Sequence, residues 1–265
     1  MPFVSISAGE GSLYYSVDSP DSGRSQAPWL LLCNSLGTSS DMWRPQVAAL
    51  AAHFRVLRYD RRGHGRSSTP AGPYTIEDLA GDALAVLDHA GAERAHFCGL
   101  SMGGLVGQWL ALNAPQRIER LVLCSTAAKI GTAEGWKARI EQVHAHGLQE
   151  IADGSVLRWF TPAFREREPA AMNEVRQQLL ATSPEGYAAC CGVLIAADFR
   201  ADLGRIKAPT LAIAGVDDPV TPPADLRFIA NGVSDGRQVD LPGAHLCNIE
   251  SPSQFTAAVL DFLCY

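Results

Sequence analysis

The chain has 265 residues and 28.3 kDa, and its 47% hydrophobic and 19% charged content excludes disordered and fibrous classes. With 22 Lys and Arg against 28 Asp and Glu, the formal charge is −6 and the pI about 5.6, which argues against nucleic acid or an anionic membrane as a partner. The length fits one α/β domain carrying an insertion.

The opening residues, Met-Pro-Phe-Val-Ser-Ile, show no basic segment followed by an apolar one. The longest aliphatic cluster, Trp29 to Cys33, is too short to span a bilayer, so a cytoplasmic protein with no membrane partner is expected. Phe3–Ser7 and Leu13–Val17 alternate as an antiparallel edge hairpin does, and Asp18–Pro28 is loop-like in its Ser, Asp, Gly and Pro. Trp29–Cys33 predicts a strand, Met42–Ala52 a helix and Arg55–Tyr59 a second strand. Thr75 and Asp78 form a capping box that opens a helix over Ile76–Ala90. Ala95–Cys98 predicts a strand, Met102–Ala114 a helix and Arg120–Cys124 a strand. Most of these strand runs are unbroken by polar residues, as expected where both faces of a parallel sheet are covered.

The alternation then stops. From Ser125 to Thr210 the pattern is helical with no convincing strand, and it concentrates Trp136, Trp159, Phe160, Phe164 and Tyr187 with Arg139, Arg158, Arg165 and Arg167. We expect a helical cap over the ligand-binding end of the sheet, with core boundaries at 1–128 and 206–265 and the cap at 129–205. Thr210–Ala214, Ala224–Ala230 and Gln238–Leu241 resume strand, helix, strand. Ser253–Leu263 closes as a helix, with Ser251 at its N-cap and Pro252 at its first position. The fold class is α/β, a doubly wound, mostly parallel sheet flanked by helices. Seven cysteines lack CxxC spacing and read as free buried thiols rather than a disulfide framework or zinc site, and adjacent Cys190 and Cys191 could bridge only with strain.

The chemistry begins at Gly99-Leu-Ser101-Met-Gly103. Strand before and helix after place Ser101 on the sharp turn between them, with glycines relieving the crowding and a helix N-terminus favouring negative charge. A serine hydroxyl needs a base, and the base needs a carboxylate to orient it. For this kind of elbow the chain order is serine, acid, histidine. Asp217 and Asp218 follow one later strand, and His245 follows the next, so both aspartates are candidate acids and His245 is the candidate base. The oxyanion needs two backbone donors, one from Met102 and one from the loop Cys33–Ser40, where the Leu36 amide is the candidate. His64, in Asp60-Arg-Arg-Gly-His-Gly-Arg-Ser67, reads as a residue shaping the oxyanion side rather than as a base.

Asn34-Ser-Leu-Gly-Thr38, Arg58-Tyr-Asp-Arg-Arg-Gly-His-Gly65, Phe97-Cys-Gly-Leu-Ser-Met-Gly-Gly104, Thr126-Ala-Ala-Lys-Ile-Gly131 with Trp136, Arg158-Trp-Phe-Thr161 and Gly186-Tyr-Ala-Ala-Cys190 together resemble the 3-oxoadipate enol-lactonases. These are α/β-hydrolases of bacterial aromatic degradation through β-ketoadipate. The likeness covers essentially the whole chain. Among the two aspartates it favours Asp218, three residues after the glycine. It implies a triad of Ser101, Asp218 and His245, acyl transfer through serine, and opening of an enol-lactone by water with neither metal nor organic cofactor. The implied ligand is a small anionic lactone, so a net acidic chain needs local cations. Arg139 and Arg158, beside Trp136 and Trp159, are the candidates. Relatives tend to carry a charged pair where this chain has Ile195-Ala196, which bears on substrate identity. A broad-specificity carboxylesterase or perhydrolase with the same triad, and a slow hydrolase-fold ligand receptor, are the alternatives. Ser101 excludes the aspartate-nucleophile chemistry of haloalkane dehalogenases and epoxide hydrolases. Homo-oligomerisation stays open.

Overall fold

A computed structural model describes residues 3–6, 10–19 and 27–264. Eight strands form one sheet: β1 (Phe3–Ser5), β2 (Ser12–Asp18), β3 (Trp29–Cys33), β4 (Arg55–Tyr59), β5 (Ala95–Leu100), β6 (Ile118–Cys124), β7 (Thr210–Gly215) and β8 (Gly236–Leu241). Their order is β1-β2-β4-β3-β5-β6-β7-β8, antiparallel where β2 meets β1 and β4, and parallel elsewhere. The expected hairpin is present, with Val4 opposite Leu13, while Ser7 and residues 20–26 lie outside the described residues.

Every residue of β3, β5 and β7 is buried, which explains why these runs lack polar alternation. Helices α1 (Arg44–Ala51) and α11 (Pro252–Cys264) pack together, as do α2 (Ile76–His89) and α3 (Met102–Asn113), while α9 (Pro223–Gly232) lies on β7 and β8. The expected helix from Met42 is divided. Ser40–Trp43 forms a tight 3₁₀ turn and α1 starts at Arg44, with Pro45 in its first turn where a missing N–H costs nothing. The capping box at Thr75 and Asp78 is made in both directions, at 3.1 and 2.8 Å. Pro252 is the first residue of α11, and the Ser251 hydroxyl donates to the Pro242 carbonyl at 2.8 Å, joining that helix to the preceding loop.

Between β6 and β7 come α4 (Ala133–His146), α5 (Gln149–Trp159), α6 (Pro162–Arg167), α7 (Pro169–Leu180) and α8 (Pro184–Ala196), with no strand among the described residues. Thr132, Thr161 and Ser183 cap three of them through side-chain oxygens, and α6, α7 and α8 each begin with proline. The insertion meets the core backbone to backbone. Gly186 at the start of α8 lies so close to Gly63, after β4, that a Cβ on either would strike the other's Cα. The Ser183 amide also donates to the Gly63 carbonyl at 3.3 Å. No single helix among the described residues is long and apolar enough to cross a membrane.

Candidate active site

Ser101 sits between β5 and α3 at φ 56° and ψ −116°, a left-handed conformation that a non-glycine residue adopts only when its surroundings enforce it. The enforcement is visible. Its amide donates to the Cys124 carbonyl at 2.9 Å, and its carbonyl accepts from Thr126 Oγ1 at 2.7 Å. A Cβ at Gly99 would collide with the Gly103 carbonyl, and one at Gly103 with the Cys33 carbonyl, so the turn closes only with glycine at both places.

His245 lies on the loop between β8 and the short helix α10 (Cys247–Glu250), and its Nδ1 is 2.8 Å from Asp218 Oδ2. Asp218, after β7, is 3% exposed and accepts further bonds from the Val220 amide at 2.8 Å, the Thr221 amide at 3.2 Å and Thr221 Oγ1 at 2.8 Å. Burial alone would raise its pKa, but His245 and these donors outweigh burial and hold the carboxyl below its usual range. Asp217 is exposed and its amide donates to the Gly243 carbonyl, so the adjacent aspartate is turned away from the histidine. The His245 ring stacks on Trp159 at 6.2 Å between centroids, and the Leu246 amide donates to the Trp159 carbonyl, fixing the histidine loop against α5.

Ser101 and His245 open onto one cavity of about 220 Å³. Leu36, Trp136, Arg139, Arg158 and Trp159 line it too, so the structure gathers every predicted site residue there except Asp218, behind the histidine, and buried Met102, at the start of α3. On either side of Leu36, the Ser35 amide donates to Met42 Sδ at 3.4 Å and the Gly37 amide to His64 Nε2 at 3.0 Å. The Leu36 amide between them has no acceptor among the described residues. His64 bridges two loops, its other ring nitrogen lying 3.1 Å from the Arg62 carbonyl.

Arg139 and Arg158 come from α4 and α5, and neither makes an ion pair among the described residues. Partial burial and the like charge of Arg139 together lower the Arg158 pKa from its ordinary value, as expected of two cations sharing a wall. Sequence reasoning did not assign Tyr187 or Ser155, which also line the cavity. Tyr187 carried a signal, as one aromatic in an aromatic-rich insertion; Ser155 carried none. Burial keeps the Tyr187 hydroxyl protonated, pushing its pKa up despite the two arginines. Leu194 lines the cavity, but the neighbouring pair Ile195 and Ala196 does not. Among the described residues no group of His, Cys, Asp and Glu side chains is arranged to hold a metal.

Residues 28–191 match the family model of the α/β hydrolase fold. The chain is 45% identical to 3-oxoadipate enol-lactonase 2 of Acinetobacter baylyi over 237 residues, 89% of each protein. It is 41% identical to 3-oxoadipate enol-lactonase 1 of the same organism over 241 residues, 91% of this chain and 90% of that one. The crystal structure of the enol-lactonase from Burkholderia xenovorans LB400 superposes with a TM-score of 0.93 at 47% identity, covering 96% of this chain and 97% of that one.

Proposed function

The chain belongs to the 3-oxoadipate enol-lactonases of the α/β-hydrolase family, and from that premise we propose that it opens 3-oxoadipate enol-lactone with water through a serine triad and an acyl-enzyme. The observation that carries this reading is one cavity shared by Ser101, His245 and the guanidiniums of Arg139 and Arg158, which make no ion pair among the described residues. It pairs an acyl-transfer centre with a receptor for a carboxylate.

Ser101 Oγ attacks the lactone carbonyl while His245 Nε2 takes its proton. Asp218 on Nδ1 fixes the tautomer and stabilises the imidazolium. The carbonyl oxygen becomes an oxyanion held by the Leu36 and Met102 amides. On collapse the C–O bond to the ring oxygen breaks, and that oxygen leaves as an enolate, which is conjugated and departs more easily than an alkoxide. It takes the proton from His245 and tautomerises to the ketone. Water, deprotonated by the same histidine, then attacks the ester carbon, and Ser101 regains its proton. Arg139 and Arg158 hold the ligand's carboxylate, and Trp136 and Trp159 line the cavity against the rest of the ligand. Residues 129–205 act in this reading as the cap that closes the site, the partner is a small anionic lactone, and the setting is the cytosol, where aromatic catabolism by this route proceeds.

The test is turnover of the enol-lactone followed by loss of its ultraviolet absorbance. Ser101→Ala should lower kcat by about 10⁴-fold or more. Wild-type protein that cleaves neutral phenyl esters but ignores the enol-lactone would leave a general carboxylesterase. A single slow equivalent without cycling would leave a ligand receptor.

A further inference from the structure

Beneath the loop that carries Leu36 lies a buried charge the mechanism above does not use. Arg61, two residues beyond β4, is 1% exposed. The carboxylates and cations near it in sequence are committed elsewhere, Asp60 to Arg66 and Arg62 to Asp82, and Arg61 makes no ion pair among the described residues. A guanidinium stays protonated in any protein setting, and burying one without a counter-ion is costly. Its nitrogens go mainly to backbone carbonyls. Nη2 donates to the Asn34 carbonyl at 2.5 Å and more weakly to Cys33 Sγ at 3.9 Å, and Nη1 donates to the Ser35 carbonyl at 3.4 Å, while buried Nε has no hydrogen-bond partner among the described residues.

The Ser35 carbonyl is the other end of the peptide unit whose N–H belongs to Leu36. Thr38 Oγ1 donates to the same oxygen at 2.9 Å, and the Thr38 amide at 3.4 Å. In a trans peptide the carbonyl and the N–H point in opposite directions, so donors that grip the oxygen from below direct the N–H the other way. Polarising the carbonyl also strengthens the N–H as a donor, because hydrogen bonds in series reinforce one another in a low-dielectric interior.

We propose that Arg61 is a positioning residue for hydrolysis at this site: it holds and polarises the Ser35–Leu36 peptide, so that the Leu36 amide meets the oxyanion as it forms. This rests on the reading of Leu36 as an oxyanion donor. The buried cation then finds its counter-charge in the transition state, across one peptide group, rather than in the resting protein.

Arg61→Met removes the charge while keeping an apolar chain, and Thr38→Val removes the hydroxyl donor to the same carbonyl and leaves the Thr38 amide in place. Four quantities are measured: kcat and KM for the enol-lactone, inhibition by phenylboronic acid, whose adduct with Ser101 places an oxygen in the oxyanion position, and inhibition by adipate. Arg61→Met should lower kcat and weaken the boronate in parallel, by about tenfold, with KM and adipate inhibition within about twofold. Thr38→Val should show a smaller loss of the same kind, and it decides alone if Arg61→Met does not fold. Unchanged boronate affinity, or boronate and adipate weakened equally, overturns the proposal, because a merely structural clamp would loosen both. A Ser101→Ala protein that keeps turnover defeats the triad reading and this inference with it. Normal wild-type and Ser101→Ala behaviour with insensitive variants defeats Arg61's role alone.

Discussion

The cavity has two walls built in different ways. The wall that carries Ser101, His245 and Leu36 comes from turns directly off the strand ends, and these residues are 7%, 1% and 5% exposed. Backbone bonds, glycines without Cβ atoms and the Asp218 hydrogen bonds fix each one. The opposite wall comes from α4 and α5, and it presents Arg139 and Arg158, long side chains without ion pairs and still in contact with solvent. In the proposed reaction bonds are made and broken at the first wall, where placement by backbone gives precision, and a carboxylate is recognised at the second, where reach and charge suffice.

This contrast predicts which kinetic constant each wall controls. Asp218→Asn keeps the shape but loses the tautomer control on His245, and kcat should fall by about 10⁴-fold. Asp217→Asn, one residue away on the exposed side, should change it by less than about twofold. Equal effects at the two positions would mean that the acid is misassigned. On the opposite wall, Arg139→Ala and Arg158→Ala should each raise KM for the enol-lactone by about tenfold, the size of one charge-assisted hydrogen bond, while leaving kcat and the cleavage of a neutral phenyl ester almost unchanged. Matching losses on the charged and neutral substrates would show that the arginines shape the cavity rather than anchor an anion.

The two walls were also unequally legible. Strand-length apolar runs, the Gly99–Gly103 motif and the order serine, acid, histidine place the first wall directly, since backbone geometry there leaves few residue types allowed. Boundaries moved where turn chemistry intervened: β5 continues to Leu100 because the elbow follows it without a break, and Pro45 divides the helix expected from Met42. On the second wall, helical patterning locates Trp136 and Arg139, but which face of each helix turns inward depends on how five helices pack, and no local rule states that. Tyr187 and Ser155 went unassigned for this reason. Arg61 is the opposite case. Its neighbours mark a turn, yet its burial and its grip on the Asn34 and Ser35 carbonyls arise only when β3 and β4 lie side by side.

The loop beneath the first wall should also carry a pH dependence. His64 is 1% exposed, its Nε2 accepts from the Gly37 amide and its Nδ1 faces the Arg62 carbonyl, so a second ring proton would point at an N–H. Burial, and after it the charge of Arg61, lowers its pKa from 6.5 to about 3. The folded ring therefore stays neutral while the unfolded chain takes up a proton below its ordinary value. The stability His64 contributes is complete above pH 6.5 and drains away as pH falls from there toward 3. At pH 5 the loss is about 2 kcal/mol. Asp218, its carboxyl already below the usual range, gives up stability only in more acidic solution, so it does not enter the interval from pH 7 to 5. Urea unfolding midpoints measured across that interval should fall more steeply for the wild type than for His64→Gln, which has no ring to titrate. Parallel slopes would mean that His64 takes up its proton inside the fold, with the Gly37 amide released and the loop beneath the oxyanion free to rearrange.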